Sequence, residues 1–332
     1  HSNIWLNSIY LLIVMQFYAL LFAGIFTPYL ALLPELTPNL KERVDLTTSQ
    51  AFFLMLGQVI FVAFGAVLAE VGWTVTIMGV AGLVGLFLYP SLLLREPLPS
   101  EDTRPKESVF TAIASSLKNK PFLYVAISTG LFFFMLNGML ALLPFWVTKY
   151  LGLSETYVTY AMAPFLVVTV AFFPVFNLLT NWFSKYALLQ ATFIATAIII
   201  TAFLFVGVIP GNPFYQTVAV IASVGIPAAG FMVLPYAVLS DVIDYDERRT
   251  GNRREGLFFG VQGVVQKILL GCSMLSFTLA PYVTGKTMEA GITLKFMAGL
   301  CGAACLLAFF VFLGYPLRER NGKVVDLSGE TP

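Results

Sequence analysis

Charged residues are scarce in this chain. Asp, Glu, Lys and Arg make up only 11% of its 332 residues, whereas a soluble domain usually carries about 25%. This scarcity excludes a soluble enzyme, a disordered tail and a nucleic-acid binder that works through a basic patch. The net charge is +1, so the total indicates no strongly charged partner. The 3 cysteines all lie in apolar stretches, which indicates neither a disulfide framework nor a zinc site.

The residue patterns of an active site are also missing from the sequence. We find no nucleotide-binding loop, no cluster with metal-ligand spacing and no pairing of a nucleophile with a base. The single histidine is His1, which cannot act as a general base in a buried site. The sequence therefore predicts no enzyme, no catalytic residue, no metal site and no cofactor.

Long uncharged runs are what the chain has instead. A helix crosses the hydrocarbon core of a bilayer in about 20 apolar residues. Helices are the form expected for such runs, because lipid offers the backbone no hydrogen-bonding partner. The sequence thus predicts an all-α polytopic membrane protein. The nine predicted membrane helices are 8–33, 48–69, 73–94, 122–148, 156–180, 186–208, 214–241, 256–284 and 291–316.

The basic residues of the loops predict the orientation in the membrane. When the nine helices alternate in direction, 15 of the 19 lysines and arginines fall on one side and 3 on the other, while Lys267 lies inside a helix. Such an excess marks the cytoplasmic side. We therefore expect a multi-pass protein of the plasma or inner membrane with a cytoplasmic C-terminus. Lys185 counts among the cytoplasmic lysines and is expected at the surface.

One long connection divides the predicted helices. Residues 95–120 are polar and rich in proline, as in a mobile linker. We expect 1–94 to hold the last three helices of an N-terminal bundle, 121–317 a six-helix C-terminal bundle, and 318–332 a cytoplasmic tail. Six-plus-six transporters place such a loop between two bundles, so the expectation is a chain that lacks about the first three helices. A native nine-helix protein is the alternative.

Lys267 is the most informative polar residue of the predicted spans. It lies about 16 Å along its helix, where a charge normally faces a cavity or a partner. Gln262 and Gln266 add hydrogen-bonding groups to the same helix. Asn137 is a further candidate substrate contact, in the middle of another span. The alternative for Lys267 is a side chain that reaches the membrane surface.

A dense charge cluster follows the predicted helix 214–241. Its functional interpretation is an ionic latch that holds two bundles together on the cytoplasmic side in one state. Its alternative is a solvated loop of exposed ion pairs, each worth about 0–1 kcal/mol. With two charges from the first helices, the predicted network consists of Glu35, Arg43, Asp241, Asp244, Asp246, Arg248, Arg253, Arg254 and Glu255.

Two motifs carry a resemblance to a known family. Residues 28–36 read Pro-Tyr-Leu-Ala-Leu-Leu-Pro-Glu-Leu, and a Glu-Arg pair follows at 42–43. Residues 241–245 read Asp-Val-Ile-Asp-Tyr, and Arg-Arg-Glu-Gly follows at 253–256. Together with Gln266-Lys267, these motifs resemble the glycoside–pentoside–hexuronide:cation symporters, the melibiose-permease-like branch of the major facilitator superfamily.

The resemblance implies a twelve-helix fold, present here from about the fourth helix onward. Lys267 matches the family's membrane-embedded lysine near the cation and sugar sites. Asp241, Asp244 and Arg254 match its cytoplasmic charge network. Asn137 falls where the seventh helix has a polar residue.

This chain departs from the melibiose-permease pattern at the sugar site. Phe26 stands where an aspartate precedes the first proline of the motif, and Leu30 stands where an aromatic residue follows. A melibiose-like substrate is therefore not expected. The family's cation-binding carboxylates lie on the second helix, which is outside this chain, so the coupling ion could be H⁺ or Na⁺.

These observations predict a secondary active transporter that performs cation-coupled symport of a sugar or related organic solute by alternating access. Its partners are then a small-molecule substrate, a coupling cation and the lipid bilayer, with no nucleic acid. Two alternatives are open: a carrier of lysolipids or other amphipaths in the same superfamily, and a membrane scaffold or sensor that does not transport.

Overall fold

A computed structural model describes residues 4–36, 40–93, 115–251, 254–320 and 323–326. The chain is built almost entirely of helices, which confirms the predicted all-α fold class. The helices are α1 (Ile4–Leu36), α2 (Leu40–Leu93), α3 (Lys120–Phe145), α4 (Thr156–Leu179), α5 (Lys185–Ala202), α6 (Pro213–Thr250), α7 (Glu255–Thr284) and α8 (Gly291–Leu313). A π-helical turn, Trp146–Tyr150, extends α3, and a 3₁₀ turn, Phe203–Phe205, follows α5. Strands β1 (Leu317–Arg320) and β2 (Lys323–Asp326) form an antiparallel hairpin after α8.

Local sequence signals set several helix ends. The side chain of Asn119 accepts a hydrogen bond from the N–H of Phe122 and so caps α3. Ser184 caps α5 in the same way, through the N–H of Ala187. At the other end of α6, Gly251 adopts a left-handed conformation with φ 68°, which a glycine accepts without steric cost.

Helix α2 is interrupted at Gly72. An unbroken helix of its 54 residues would be about 80 Å long, far more than the roughly 30 Å of a hydrocarbon core. Gly72 has φ 75° and ψ 170°, a conformation that glycine alone reaches easily. The break lies between the predicted spans 48–69 and 73–94.

Seven helices in the part of the chain that the structure describes are long and apolar enough to cross a membrane. They correspond to seven of the nine predicted spans, and the chain is therefore a multi-pass integral membrane protein. The two remaining predicted spans fall on α2, apart from residue 94, so the count of nine stays a prediction. The candidate spans are Trp5–Leu30, Lys120–Tyr150, Thr156–Leu179, Lys185–Phe205, Pro213–Thr250, Glu255–Thr284 and Gly291–Leu313.

Helices α3 to α8 pack into one six-helix unit. In it α3 contacts α7 and α8, α4 contacts α6, and α5 contacts α6 and α8. The approach of α6 to α4 is close because Gly225 has no side chain: a Cβ there would lie 2.8 Å from the carbonyl oxygen of Phe165. Outside this unit, α2 lies along α6 and α4, and α1 lies along α7. Most of the predicted inter-bundle loop 95–120 is outside the described residues.

The six helices alternate in direction and so define two ends. At one, which we call the Asp241 end, Lys185 at the start of α5 contacts Asp241 near the end of α6. Tyr315, just after α8, packs there against the ring of Tyr186. At the other, which we call the Tyr150 end, the hydroxyl of Tyr150 donates to the carbonyl oxygen of Val206, after α5.

Candidate functional site

A buried ionic cluster joins α2 to the six-helix unit at the Asp241 end. One carboxylate oxygen of Asp241 lies 2.7 Å from Lys185 Nζ and accepts a 2.8 Å hydrogen bond from the Tyr186 hydroxyl. The other oxygen accepts from Arg43 Nη1 at 3.2 Å. Arg43 Nη2 lies 2.6 Å from Asp244 Oδ2. We call these five residues the Asp241 cluster; Arg43 is its contribution from α2.

The cluster is electrically balanced and mostly buried, with Asp244 exposed to 30%. The exposed fractions of the Arg43, Lys185 and Asp241 side chains are 2%, 2% and 0%. Two cations face two carboxylates, which meets the requirement that buried charges be paired. The expectation that Lys185 is a surface lysine was wrong. Its sequence neighbours include no acid, and its partner Asp241 lies 56 positions away.

A second, exposed contact ties α2 to α4 at the same end. Lys41 Nζ donates to the Asn177 side-chain oxygen at 2.9 Å. Asn177 Nδ2 donates to Asp45 Oδ1 at 2.7 Å and to Thr48 Oγ1 at 3.1 Å. The first turns of α2 are therefore held by α4 on one side and by α5 and α6 on the other.

The predicted charge network divides into two parts. Arg254 contacts Asp246 through Nη2 at 2.7 Å and Nε at 3.2 Å. The second oxygen of Asp246 accepts from Asn119 Nδ2 at 3.1 Å, and Arg254 Nη1 donates to Ser115 Oγ at 2.7 Å. These residues belong to the six-helix unit and to the segment just before it. Arg254 and Asp246 thus link α6, α7 and the start of α3.

The remaining members of the predicted network have separate positions. Arg248 is exposed and its Nε donates to the carbonyl oxygen of Asp244 at 3.1 Å. Glu255 is buried at the start of α7. The side chain of Glu35 and the whole of Arg253 lie outside the described residues.

A cavity of about 190 Å³ lies between α2 and helices α3 to α6. Met55 and Gln58 form its α2 wall. Met55 is about 18 Å along α2 from Arg43, so the cavity is well separated from the Asp241 cluster. We call it the methionine cavity, because five of its lining residues are methionines: Met55, Met135, Met139, Met162 and Met232.

A smaller cavity of about 120 Å³ adjoins the first. Leu136 and Met232 line both. The smaller cavity is closer to the Asp241 end, and its polar wall consists of Gln50, Tyr236 and Gln266. Together the two cavities extend from Gln50, about 15 Å along α2, towards the Tyr150 end.

The predicted cavity residues are not all brought together. Gln266 lines the smaller cavity. Gln262 is buried and donates to Thr129 Oγ1 of α3, while its Oε1 has no partner among the described residues. Asn137 donates to the carbonyl oxygen of Phe133 in its own helix. Lys267 is exposed, beside the exposed Val264 and Ile268 of α7.

Sequence reasoning missed several residues that the site uses. Lys185 and Tyr186 carried no signal, because their partner is distant in sequence. Of the five methionines, only Met135 and Met139 share a helix face through their spacing of four. Two apolar residues on one face are common in any membrane helix, so the sequence does not predict the cavity. The arrangement as a whole places a cavity among apolar helices and a largely buried ionic cluster at one end.

Similarity to known proteins extends over almost the whole chain. Residues 1–318 match the family described as MFS/sugar transport protein. The uncharacterized symporter YnaJ of Bacillus subtilis is 28% identical over 266 residues, which are 74% of this chain and 54% of that protein. The uncharacterized symporter sll1374 of Synechocystis is 35% identical over 74 residues, or 22% of this chain and 12% of that protein. The chain thus spans about half the length of the first relative.

Proposed function

The chain belongs to the MFS/sugar transport protein family, and from this premise we propose that it performs cation-coupled symport of a sugar or related organic solute. Membership of this family supports a membrane transporter over an enzyme, and we propose transport in preference to a scaffold or sensor that does not transport. The coupling cation that we propose is H⁺ or Na⁺, and we propose no further cofactor.

Alternating access is the proposed mechanism, and the Asp241 cluster carries the argument for it. Arg43 crosses from α2 to two carboxylates of α6, so the cluster closes the Asp241 end only while α2 stays against the six-helix unit. Since the cavities extend away from that end, the described state is closed at the Asp241 end. Rocking α2 away would break the Arg43 contacts and open the cavities at the Asp241 end.

This division of roles refines the proposed latch. Arg43, Asp241 and Asp244 connect parts that would move relative to each other. Arg254 and Asp246 instead keep α6, α7 and the start of α3 together as one rigid unit. A latch stabilises one conformation only and thereby shifts the equilibrium between the two states.

The orientation of the protein gives a first testable prediction. We propose that the Asp241 end is cytoplasmic, from the 15-to-3 distribution of basic residues. In intact cells, a membrane-impermeant maleimide should label Lys286→Cys, near the Tyr150 end, and should label Arg249→Cys only after permeabilisation. Labelling of Arg249→Cys in sealed cells would reverse the orientation.

Coupled uptake gives a second prediction, which concerns Lys267. A charged group at membrane depth is costly unless a cavity or partner compensates it, and Lys267 has no ion pair among the described residues. We propose that it serves the coupled cycle in the intact protein. Lys267→Ala should abolish solute accumulation driven by a cation gradient, measured in vesicles at matched protein amounts.

Lys286→Ala is the matched control, since this lysine is exposed beyond the end of α7. It should keep accumulation at the level of the unmodified protein. Full gradient-driven accumulation by Lys267→Ala would mean that the lysine only reaches the membrane surface.

A further inference from the structure

The described residues that line the methionine cavity offer few hydrogen-bonding side chains. Among these described residues only Gln58 is polar, and none is charged. Its other side chains are aliphatic or aromatic, or belong to the five methionines, half of the 10 in the chain. The centre of the space between α2 and the six-helix unit is therefore an apolar chamber.

A free sugar is a poor fit for this chamber. Each sugar ring carries several hydroxyl groups, and a hydroxyl that loses water without gaining a partner weakens binding. Gln58 alone could pair with only a few of them. An apolar group meets no such penalty, and a dry cavity of about 150 Å³ lined by apolar side chains already binds benzene. The methionine cavity, at about 190 Å³, has room for an aromatic ring or a short alkyl segment.

Methionine is suited to an apolar ligand of variable shape. Its unbranched side chain has three rotatable bonds and a polarisable sulfur, so it adapts to irregular partners and makes favourable contacts with aromatic rings. The methionines come from α2, α3, α4 and α6, hence from both sides of the proposed moving boundary. A ligand held there would contact α2 and the six-helix unit at once.

Polar groups are concentrated next to the chamber. Gln50 of α2, Tyr236 of α6 and Gln266 of α7 line the smaller cavity, which shares the wall formed by Leu136 and Met232. Two amides and a phenol offer donors and acceptors within reach of a ligand that fills the methionine cavity.

We infer that the transported solute is amphipathic, with its apolar part in the methionine cavity and its polar part at Gln50, Tyr236 and Gln266. This inference rests on the proposed transport function and names the class of its substrate. Two sources share the required chemistry: a glycoside with an aryl or alkyl aglycone, and a lipid with a single acyl chain.

The test measures binding in the cavity by protection of an introduced thiol. Met139→Cys is made in the intact protein on a Cys272→Ser background, since Cys272 is exposed whereas Cys301 and Cys305 are buried. Its alkylation rate is measured with 4-nitrophenyl glucoside against methyl glucoside, and with lysophosphatidylcholine against glycerophosphocholine. The control is Met274→Cys, on the exposed side of α7 and outside both cavities.

One of the two probes with an apolar part should slow alkylation of Met139→Cys about tenfold. This corresponds to about 90% occupancy, reached when the probe concentration is about nine times its dissociation constant. Its headgroup analogue should have no effect, and Met274→Cys should react equally under all conditions. Protection by the 4-nitrophenyl glucoside or by the lysolipid identifies the source. The inference is overturned if the headgroup analogues protect equally well, or if none of the four compounds protects.

Thermal unfolding of the unmodified protein with the same four compounds gives a second measurement that needs no variant. Only the apolar-bearing probe that protects the thiol should raise the melting temperature, and stabilisation by the headgroup analogues alone would contradict the inference. Both measurements report binding and not uptake. Binding that depends on the headgroup alone would therefore contradict the amphipathic substrate but not the proposed transport function. Transport itself is tested by a cross-link between α2 and α4.

Discussion

Asp241→Ala is expected to destabilise the folded protein by about 3–5 kcal/mol, the usual effect of removing one partner from a buried ion pair. Asp241 is fully buried and holds both Lys185 and Arg43. Without its carboxylate, the buried cations Lys185 and Arg43 both lose a counter-charge, and the Tyr186 hydroxyl loses the Asp241 acceptor. Thermal unfolding in nanodiscs, with folded yield from size-exclusion chromatography, measures the effect.

Asp45→Ala is the matched control at the same end of the molecule. Asp45 also pairs with a lysine, Lys41, but at 3.7 Å and with more than half of its side chain exposed. Exposed pairs are worth about 0–1 kcal/mol, so this change should be nearly silent. Adding Lys185→Ala to Asp241→Ala should recover part of the lost stability, because it removes one uncompensated charge. Equal stability of Asp241→Ala and Asp45→Ala would mean that burial of the cluster does not contribute to the free energy of unfolding.

The sequence predicts the helices well because the membrane imposes a simple rule on it. Charges are excluded from runs of about 20 residues, and helix ends carry local signals such as Ser184 and Gly251. Successive spans must cross the membrane in opposite directions, so the alternating directions of the helices in the six-helix unit also follow from the sequence. The break at Gly72 is harder to predict, since a glycine between two apolar runs is common and only the backbone conformation shows that the helix stops there.

The ionic network is only partly predictable. The density of charge in one segment predicts a network around Asp241 and Asp244. Arg43 belongs to this prediction because its loop is expected on the same side of the membrane. Which charges meet depends on packing: Arg43 and Asp241 are 198 positions apart. For the same reason Arg254, which belongs to that segment, pairs with Asp246 in the six-helix unit, whereas Lys185, from outside the segment, joins the cluster.

The cavity is the least predictable feature. The sequence predicts four cavity residues, Lys267, Gln262, Gln266 and Asn137, and of these four Gln266 is the one that lines a described cavity. Its largest part is formed by methionines, which look in sequence like any other apolar membrane residue. The role of Lys267 stays a prediction that the uptake measurement decides.

Immobilising α2 against α4 should stop transport altogether. Asp45 and Asn177 contact each other across the boundary at the Asp241 end, with Nδ2 and Oδ1 2.7 Å apart. If α2 must leave the six-helix unit in each cycle, a covalent bond between these positions holds the protein in the described state. The cross-link should stop both gradient-driven uptake and exchange of solute without a gradient, because it blocks the conformational change and not the coupling.

The most direct test is therefore uptake by Asp45→Cys/Asn177→Cys on a Cys272→Ser background, before and after a short, reducible thiol cross-linker. Each single-cysteine variant treated with the same reagent serves as control. Alternating access at this boundary predicts that the cross-linked protein takes up no solute, that reduction restores uptake, and that the single variants stay active. Undiminished uptake by fully cross-linked protein would show that α2 and α4 do not separate during transport, and would contradict the proposed mechanism.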